Sequence, residues 1–266
     1  RLMFFPSVKY AFGRERLMWT AAANLNYNPM NYSTVSLRAG DISKDFSPSG
    51  VNHMVNSLSS LLFRENWLKL YNSTFVSIGH SGEIANGLSH NVTMLWEQRR
   101  TLENSTSFSL LKPAKEYTRN VPDNPFVNGE ITDFEAIAPV NHDHISFTAS
   151  LTYTPRQKYR IVKGAKINMS SDYPTFSLLW RHGFNHNDTL SANFDLLKFT
   201  ISKSTDLGAM SEVKWRAQFG GFINRKSLQT QDMYFFNSQE SPVLLDNYLD
   251  AFMLKPYYSV SSASLF

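Results

Sequence analysis

Hydrophobic and polar residues alternate along much of this chain with a period of two. Between Leu17 and Asn28 the odd positions carry apolar side chains, and the even positions carry mostly small or polar ones. The ranges Ile145–Ile161 and Leu207–Ile223 repeat the pattern, each over about seventeen residues. Such alternation is typical of β-strands with one dry face and one wet face. Weaker alternation elsewhere brings the prediction to roughly ten strands, mostly antiparallel, with further ranges at Val8–Gly13, Ser33–Ile42, Ser73–Ser81, Gly87–Gln98, Pro174–Gly183, Leu190–Ser202 and Tyr257–Phe266.

The connection from Ser43 to Asn72 has a different period. Its apolar residues recur at intervals of three and four positions, which predicts a short amphipathic helix. Such a helix could plug a lumen or cap a rim, or it could serve packing alone. The residues that carry this pattern are Val51, Met54, Val55, Leu58, Leu61 and Leu62.

Strand length separates two architectures that share the alternation. Strands of soluble sandwiches usually run about 3 to 10 residues. A seventeen-residue strand at about 3.3 Å per residue is long enough, even when tilted, to cross the ~25 Å apolar band of an outer membrane. Predicted links are short after alternate strands and long between them, as in outer-membrane barrels, although the links after Ile161 and Gly183 break this order. The sequence favours an all-β fold, part of an antiparallel transmembrane β-barrel with long loops on one rim and a short helix in one loop.

Composition excludes several classes of protein. The 266 residues contain no cysteine, so disulfide scaffolds, zinc–cysteine sites and cysteine nucleophiles are absent. Apolar runs reach four residues, as at Leu2–Phe5, whereas a membrane helix needs about 20. Aromatic residues make up 14% of this otherwise polar chain, and the alternation places many of them on one side of long strands, where lipid could accept them.

Several strings of residues are distinctive: Asp41–Phe46, Asn56–Phe63, Trp67–Tyr71, Glu83–Leu88, Arg100–Asn104, Asp172–Phe176, Phe219–Phe222 and Asp232–Asn237. In this order, from about residue 40 to the end, they resemble a Bacteroidota outer-membrane family of unknown function. In that family a carboxypeptidase-regulatory-like domain precedes a C-terminal barrel. The resemblance implies an outer-membrane location, no established enzymatic activity, and no catalytic motif or cofactor to transfer. Because the N-terminal module is absent and members continue past Phe266, residues 1–266 are expected to be a barrel segment that is incomplete at both ends.

One short motif carries possible metal chemistry. His142 and His144 flank Asp143 at the end of the longest predicted loop. In an extended stretch both histidines point the same way and could share a metal ion, but no further ligand is identifiable. The chain has no Gly-x-Ser-x-Gly elbow and no zinc-protease helix motif. No catalytic residue, metal site or cofactor is therefore predicted.

Basic residues cluster in one stretch and again at Arg99–Arg100. Part of the first cluster shares the parity of the polar face of the predicted strand Ile145–Ile161. This favours a lumen or rim position, near anionic lipid head groups, over nucleic-acid binding. The pair Gly220–Gly221 is predicted to ease a kink or a close strand approach. The first cluster comprises Arg156, Lys158, Arg160, Lys163 and Lys166.

The leading hypothesis is a non-enzymatic outer-membrane barrel that acts as a scaffold, a pore or a subunit of a larger envelope assembly. Its expected partners are outer-membrane lipids, including lipopolysaccharide, and other outer-membrane proteins in a complex, but not nucleic acid. One alternative is a secreted β-sandwich module that binds glycans, with its aromatic rings as stacking platforms. Burial of the odd-face rings against a second sheet would favour it. Another is an outer-membrane hydrolase that uses the loop histidines.

Overall fold

An antiparallel β-sheet dominates the fold of this protein, which we describe from a computed structural model. The structure describes residues 1–47, 52–111, 115–122, 140–185, 192–207, 211–237, 252, 260–261 and 264–266. The helix α1 spans His53–Phe63. The strands in the described residues are β1 (Leu2–Ala11), β2 (Arg16–Asn28), β3 (Ser33–Asp45), β4 (Leu70–Ala85), β5 (Leu88–Thr101), β6 (His142–Tyr153), β7 (Tyr159–Val162), β8 (Ala165–Asn168), β9 (Thr175–Phe184), β10 (Asn193–Asp206), β11 (Glu212–Ser227), β12 (Tyr234–Phe235) and β13 (Val260–Ser261).

Nine of these strands form one meander in the order β1-β2-β3-β4-β5-β6-β9-β10-β11. Every neighbouring pair is antiparallel. The all-β prediction is confirmed, and so is the helix after β3, although Val51 lies outside the described residues. Asn52 caps this helix by accepting hydrogen bonds from the N–H groups of Met54 and Val55. No helix in the described part of the chain is long and apolar enough to span a membrane.

Two predicted strand ranges were wrong at one end. The range Ile145–Ile161 is not one strand, because β6 ends at Tyr153. Pro155 lacks the N–H group that would extend the ladder, and Arg156 turns the chain with a φ of 49°. The second range, Leu207–Ile223, begins too early, since β11 starts at Glu212.

The end of the chain is described only in part. Half of the predicted strand Tyr257–Phe266 lies outside the described residues, but Phe266 exchanges two backbone hydrogen bonds with Gly220 of β11. A Cβ atom at Gly220 would lie 2.7 Å from the Phe266 ring, and one at Gly221 would lie 1.8 Å from the Ser264 carbonyl oxygen. The predicted close strand approach at this glycine pair is therefore confirmed.

The two faces of the sheet differ in chemistry. On the apolar face, Ala39, Val76, Trp96, Ile145 and Phe184 stand side by side across five strands. Many large apolar residues of this face are exposed, as is Val76 at 46%. The opposite face, the polar face, carries most of the buried polar and charged residues of the strands, among them Ser73, Glu97, Arg99 and His144. Burial is thus inverted relative to an ordinary soluble sheet, whose apolar face is covered.

A short stretch after β11, residues 228–237, lies across the polar face, and we call it the covering segment. The ring of its Phe235 lies 6.4 Å from that of Phe46, just after β3, and its Tyr234 packs against a cluster that includes Phe222 of β11. These strands are six positions apart, about 29 Å in a flat sheet at ~4.8 Å per strand. Because side chains stand roughly perpendicular to a sheet, adjacent residues can reach both places only if the sheet curves. The contacts indicate a curved sheet with the polar face on its concave side.

The hairpin β7–β8 covers the other end of the polar face, beside the turn between β4 and β5. Lys166 forms a buried ion pair with Glu83 and donates a hydrogen bond to Asn86 Oδ1 at 2.8 Å. The backbone N–H of Asn168 donates to the Tyr32 hydroxyl at 3.0 Å. A cavity of about 640 Å³, lined mainly by hydroxyl and amide side chains, lies between the hairpin and the sheet.

One glycine of β9 makes room for a buried ring. A Cβ atom at Gly183 would lie 2.6 Å from Cε1 of Phe194, whose side chain is fully buried and has no space to move aside. Gly183→Ala is expected to lower the free energy of unfolding by about 1–3 kcal/mol, as overpacking does, measured by chemical unfolding. Gly13→Ala is the control, because its nearest neighbour would be Ser105 Oγ at 3.3 Å. Equal losses in the two variants would contradict the steric explanation.

Candidate functional site: a buried charge network

The most unusual feature of the polar face is a group of charged and imidazole side chains near the ends of the strands that lead into the long connections. We call this group the charge network. Most of its members are almost fully buried, which is rare for ionisable residues and requires close pairing. The members are Lys44, Glu97, Arg99, His142, His144, Arg181 and Asp232.

The strand register brings most of these residues together. Glu97 stands opposite His144, and Arg99 stands opposite His142, in the ladder between β5 and β6. Because side chains two residues apart in a strand share a face, all four project from the polar face. The prediction that the two histidines point the same way is confirmed. They do not lie in a solvated loop, however, since they begin β6 and are 5% and 1% exposed.

Glu97 is the anion at one end of the network. One of its oxygens accepts from Lys44 Nζ, and also from Ser73 Oγ at 2.8 Å. Its other oxygen accepts from Arg99 Nε. With a side chain only 1% exposed, Glu97 has two cations and a hydroxyl group in place of water. A buried carboxylate needs such ion pairs and hydrogen bonds to replace its contacts with water.

Asp232 is the anion at the other end, and it comes from outside the sheet. It lies in a single 3-10 turn, Thr230–Asp232, of the covering segment. Arg181 Nη2 donates to its Oδ1 at 2.9 Å. Arg99 Nη1 lies 2.9 Å from its Oδ2 as an ion pair without the alignment of a hydrogen bond. Burial by itself raises the pKa of Asp232, but the charges of Arg99 and Arg181 lower it by more, so the pKa lies below its usual range.

The two histidines complete the surroundings of Asp232. Nδ1 of His142 lies 2.9 Å from the Val140 carbonyl oxygen, which fixes the proton on Nδ1 and leaves Nε2 as an acceptor facing Arg99 at 3.4 Å. Both ring nitrogens of His144 are buried without a hydrogen-bond partner, and its Nε2 lies 3.7 Å from Asp232 Oδ1. The His144 ring stacks on Phe194, so its orientation is set by packing.

His142, His144 and Asp232 resemble the ligand set of a metal ion. One possible ligand atom from each lies within 4.8 Å of the others. However, each oxygen of Asp232 faces a guanidinium group, and the network holds three cationic side chains against two carboxylates. A divalent cation would add to this positive excess and be repelled. The arrangement therefore suits an anion better than a metal ion.

The basic residues between Arg156 and Lys166 do not lie on one strand, because they belong to the turn after β6 and to the hairpin β7–β8. Because β6 ends at Tyr153, the expected parity with its polar face was wrong. Arg156 donates to the Tyr173 hydroxyl at 2.8 Å, and Lys158 pairs with Asp172 on the surface. Lys166 is buried against Glu83.

Comparison with protein families gives one match over residues 1–266, to the C-terminal domain of a family of unknown function, DUF5686. The chain belongs to this family. Among curated proteins and solved structures, none matches it. The family match extends the resemblance from residue 40 onward to the whole chain.

In this DUF5686 domain, sequence reasoning found part of the charge network and missed the rest. The direction of His142 and His144 followed from strand alternation. Arg99 was noted only as one of a basic pair, although its alternation with Glu97 before the longest connection was a usable signal. Asp232 gave no signal, because it lies in no strand and its partners are distant in sequence.

Proposed function

We propose that this chain is the membrane-embedded part of a non-enzymatic outer-membrane β-barrel protein of Bacteroidota. Its role would be that of a scaffold or a subunit of a larger envelope assembly, with lipids, including lipopolysaccharide, against its apolar face. The observation that carries the proposal is the inverted burial of the sheet. Trp19, Ile78 and Phe219 are 42%, 55% and 62% exposed, whereas Glu97 and Arg99 on the polar face are each 1% exposed. In water this distribution is unfavourable, and in a bilayer it is the favourable one.

Strand dimensions support the same proposal. The strand β10 has 14 residues, which at about 3.3 Å each give roughly 46 Å. A tilt of about 40° leaves roughly 35 Å along the membrane normal, more than the ~25 Å apolar band of an outer membrane. Rings such as Tyr27 and Phe184 lie near strand ends, where aromatic girdles contact lipid head groups.

The coverage of the polar face favours a scaffold over an open pore. The covering segment occupies one end of this face, and the hairpin β7–β8 occupies the other. Both are held by buried ion pairs, Asp232–Arg99 and Lys166–Glu83. Segments fixed in this way cover part of the polar face, as is expected of a scaffold more than of an open pore.

Two alternatives have weaker support. A glycan-binding sandwich would be favoured by packing of the apolar-face rings against a second sheet, but in the described residues most of these rings are exposed, as are Trp19, Trp96 and Phe219. A hydrolase that uses His142 and His144 requires them to meet substrate, yet they are buried in the charge network.

Fractionation of cells that make the full-length protein tests the proposal. We expect the protein in the outer membrane, resistant to alkaline extraction, and soluble only with detergent. Before heating, it should migrate faster in a denaturing gel than after heating, because a folded barrel resists the detergent. Recovery of the protein in the water-soluble fraction without detergent, with no heat-dependent change in gel migration, would contradict the proposal.

A further inference from the structure

The carboxylate of Asp232 is bound by side chains of the main sheet in the way that a protein binds an anionic ligand. One guanidinium faces each of its carboxylate oxygens, with Arg181 and Arg99 each at 2.9 Å. The imidazole of His144 lies 3.7 Å from Oδ1. Two guanidinium groups that share one carboxylate give a strong, directional anion site. We call Arg99, Arg181 and His144 the carboxylate clamp.

The clamp residues are positioned by contacts that do not involve Asp232. Arg99 is fixed by its ion pair with Glu97. The guanidinium of Arg181 lies over the Phe194 ring, 5.2 Å from its centroid, and His144 stacks on the same ring. All three belong to strands of the main sheet, whereas Asp232 belongs to the covering segment. The clamp residues thus have contacts of their own within the main sheet, and the carboxylate that they bind comes from a separate segment.

The excess of positive charge around the clamp favours a bound anion. With Asp232 in place, Lys44, Arg99 and Arg181 face two carboxylates, which leaves one excess positive charge. Without Asp232, only the Glu97 carboxylate remains and the excess rises to two. Buried cations without counter-ions are strongly unfavourable. A carboxylate of suitable shape should thus enter an emptied clamp.

Residues next to the clamp indicate what kind of molecule carries that carboxylate. Two and three positions after Asp232, Tyr234 and Phe235 pack on separate aromatic clusters of the polar face. Tyr234 stacks on Phe266 with ring centroids 4.5 Å apart, and Phe235 lies 6.4 Å from Phe46. The surface thus accepts a peptide in which an acidic residue is followed by two aromatic side chains.

We propose that the carboxylate clamp is a binding site for such an acidic–aromatic peptide, which the chain's own covering segment occupies as an intramolecular ligand. A segment of a partner protein with the same chemistry would compete for the site and free residues 228–237. This inference goes beyond the proposed scaffold role, and its readouts, thermal stability and peptide affinity, do not depend on a membrane location.

Chemical rescue of Asp232→Ala in the full chain tests the clamp. The substitution removes the carboxylate and leaves space for formate. We expect a lower unfolding temperature for the variant, and a rise of about 4 °C in sodium formate over sodium chloride at equal ionic strength, through ligand binding to the native state. If the variant folds only when formate is present, the proposal is equally supported.

Two matched variants separate the clamp from general salt effects. Asp232→Asn fills the space with a neutral amide, so formate should not stabilise it. Asp232→Ala combined with Arg181→Gln removes one of the two guanidinium groups of the clamp, so the stabilisation by formate should be lost. Equal stability in formate and chloride for Asp232→Ala would overturn the proposal, as would stabilisation by zinc chloride but not by formate.

The peptide specificity is measured on the variant Asp232→Ala/Tyr234→Ala/Phe235→Ala, which empties the clamp and both aromatic positions. A labelled peptide with the sequence of residues 230–236 should bind at least about tenfold more tightly than the same peptide with asparagine at position 232, as expected for charged hydrogen bonds. Equal affinity, or no binding to a folded variant, would restrict the clamp to an internal structural role and overturn the proposal.

Discussion

Replacing Arg99 by methionine is expected to lower the free energy of unfolding by about 3–5 kcal/mol, the cost of removing one partner of a buried ion pair. The Arg99 side chain is 2% exposed and faces both Glu97 and Asp232. Methionine fills much of the same volume but leaves two buried carboxylates without their shared counter-ion. Chemical unfolding of the detergent-solubilised protein, followed by tryptophan fluorescence, measures the loss.

Two further variants give this prediction its reference points. Lys214→Met removes a cation whose pair with Glu212 is on the surface, with side chains 59% and 41% exposed, so no measurable change is expected. Adding Glu97→Gln to Arg99→Met removes the carboxylate that still pairs with Lys44, so no recovery of stability is expected. A loss in Arg99→Met no larger than that in Lys214→Met would show that the network does not depend on its central cation.

A charge placed in the middle of the apolar face is expected to prevent folding into the membrane. Ile78 is 55% exposed and stands between Leu37 and Met94 on this face. On the lipid side of a barrel, arginine near the bilayer midplane costs about 2–4 kcal/mol, whereas most exposed positions of a soluble protein tolerate it within about 0.5 kcal/mol. For Ile78→Arg we expect a several-fold drop in the heat-modifiable, outer-membrane form, quantified by gel after fractionation.

Ile161→Arg is the matched control for this experiment. Ile161 is 58% exposed, but it lies on the hairpin β7–β8 rather than on the face of the main sheet. The same substitution at nearly the same exposure should leave the amount of folded protein unchanged. Equal folded amounts of Ile78→Arg and the unmodified protein would contradict a lipid-facing position for Ile78.

Alternation predicted the fold well wherever each strand has one covered and one uncovered face. The strands β2 to β5 follow from this pattern, because a shift of one residue would reverse every side chain. The failure at Ile145–Ile161 has a local cause. Its period of two continues past Pro155 into β7. The alternation alone does not show that Pro155 and the left-handed backbone of Arg156 end the hydrogen-bonded ladder.

The candidate site was predictable only where it follows from a strand. Glu97, Arg99, His142 and His144 share a face by parity alone, so their proximity could be inferred once β5 and β6 were paired. The position of Asp232 depends on how residues 228–237 fold back over the sheet, which no local period encodes. Contacts of irregular segments depend on the whole assembled surface. The sequence could therefore indicate which strand residues share a face, but not that Asp232 lies beside them.

The partners of Asp232 also impose an order on assembly. They come from β5, β6 and β9, so the place for this carboxylate exists only after residues as far apart as Arg99 and Arg181 are aligned. Closing such long loops is the slow, entropically costly part of forming a β-sheet. Docking of the covering segment should accordingly be one of the last folding events, and it would mark a completed molecule. A partner that competes for the same place would then recognise only chains in which β5, β6 and β9 are already aligned.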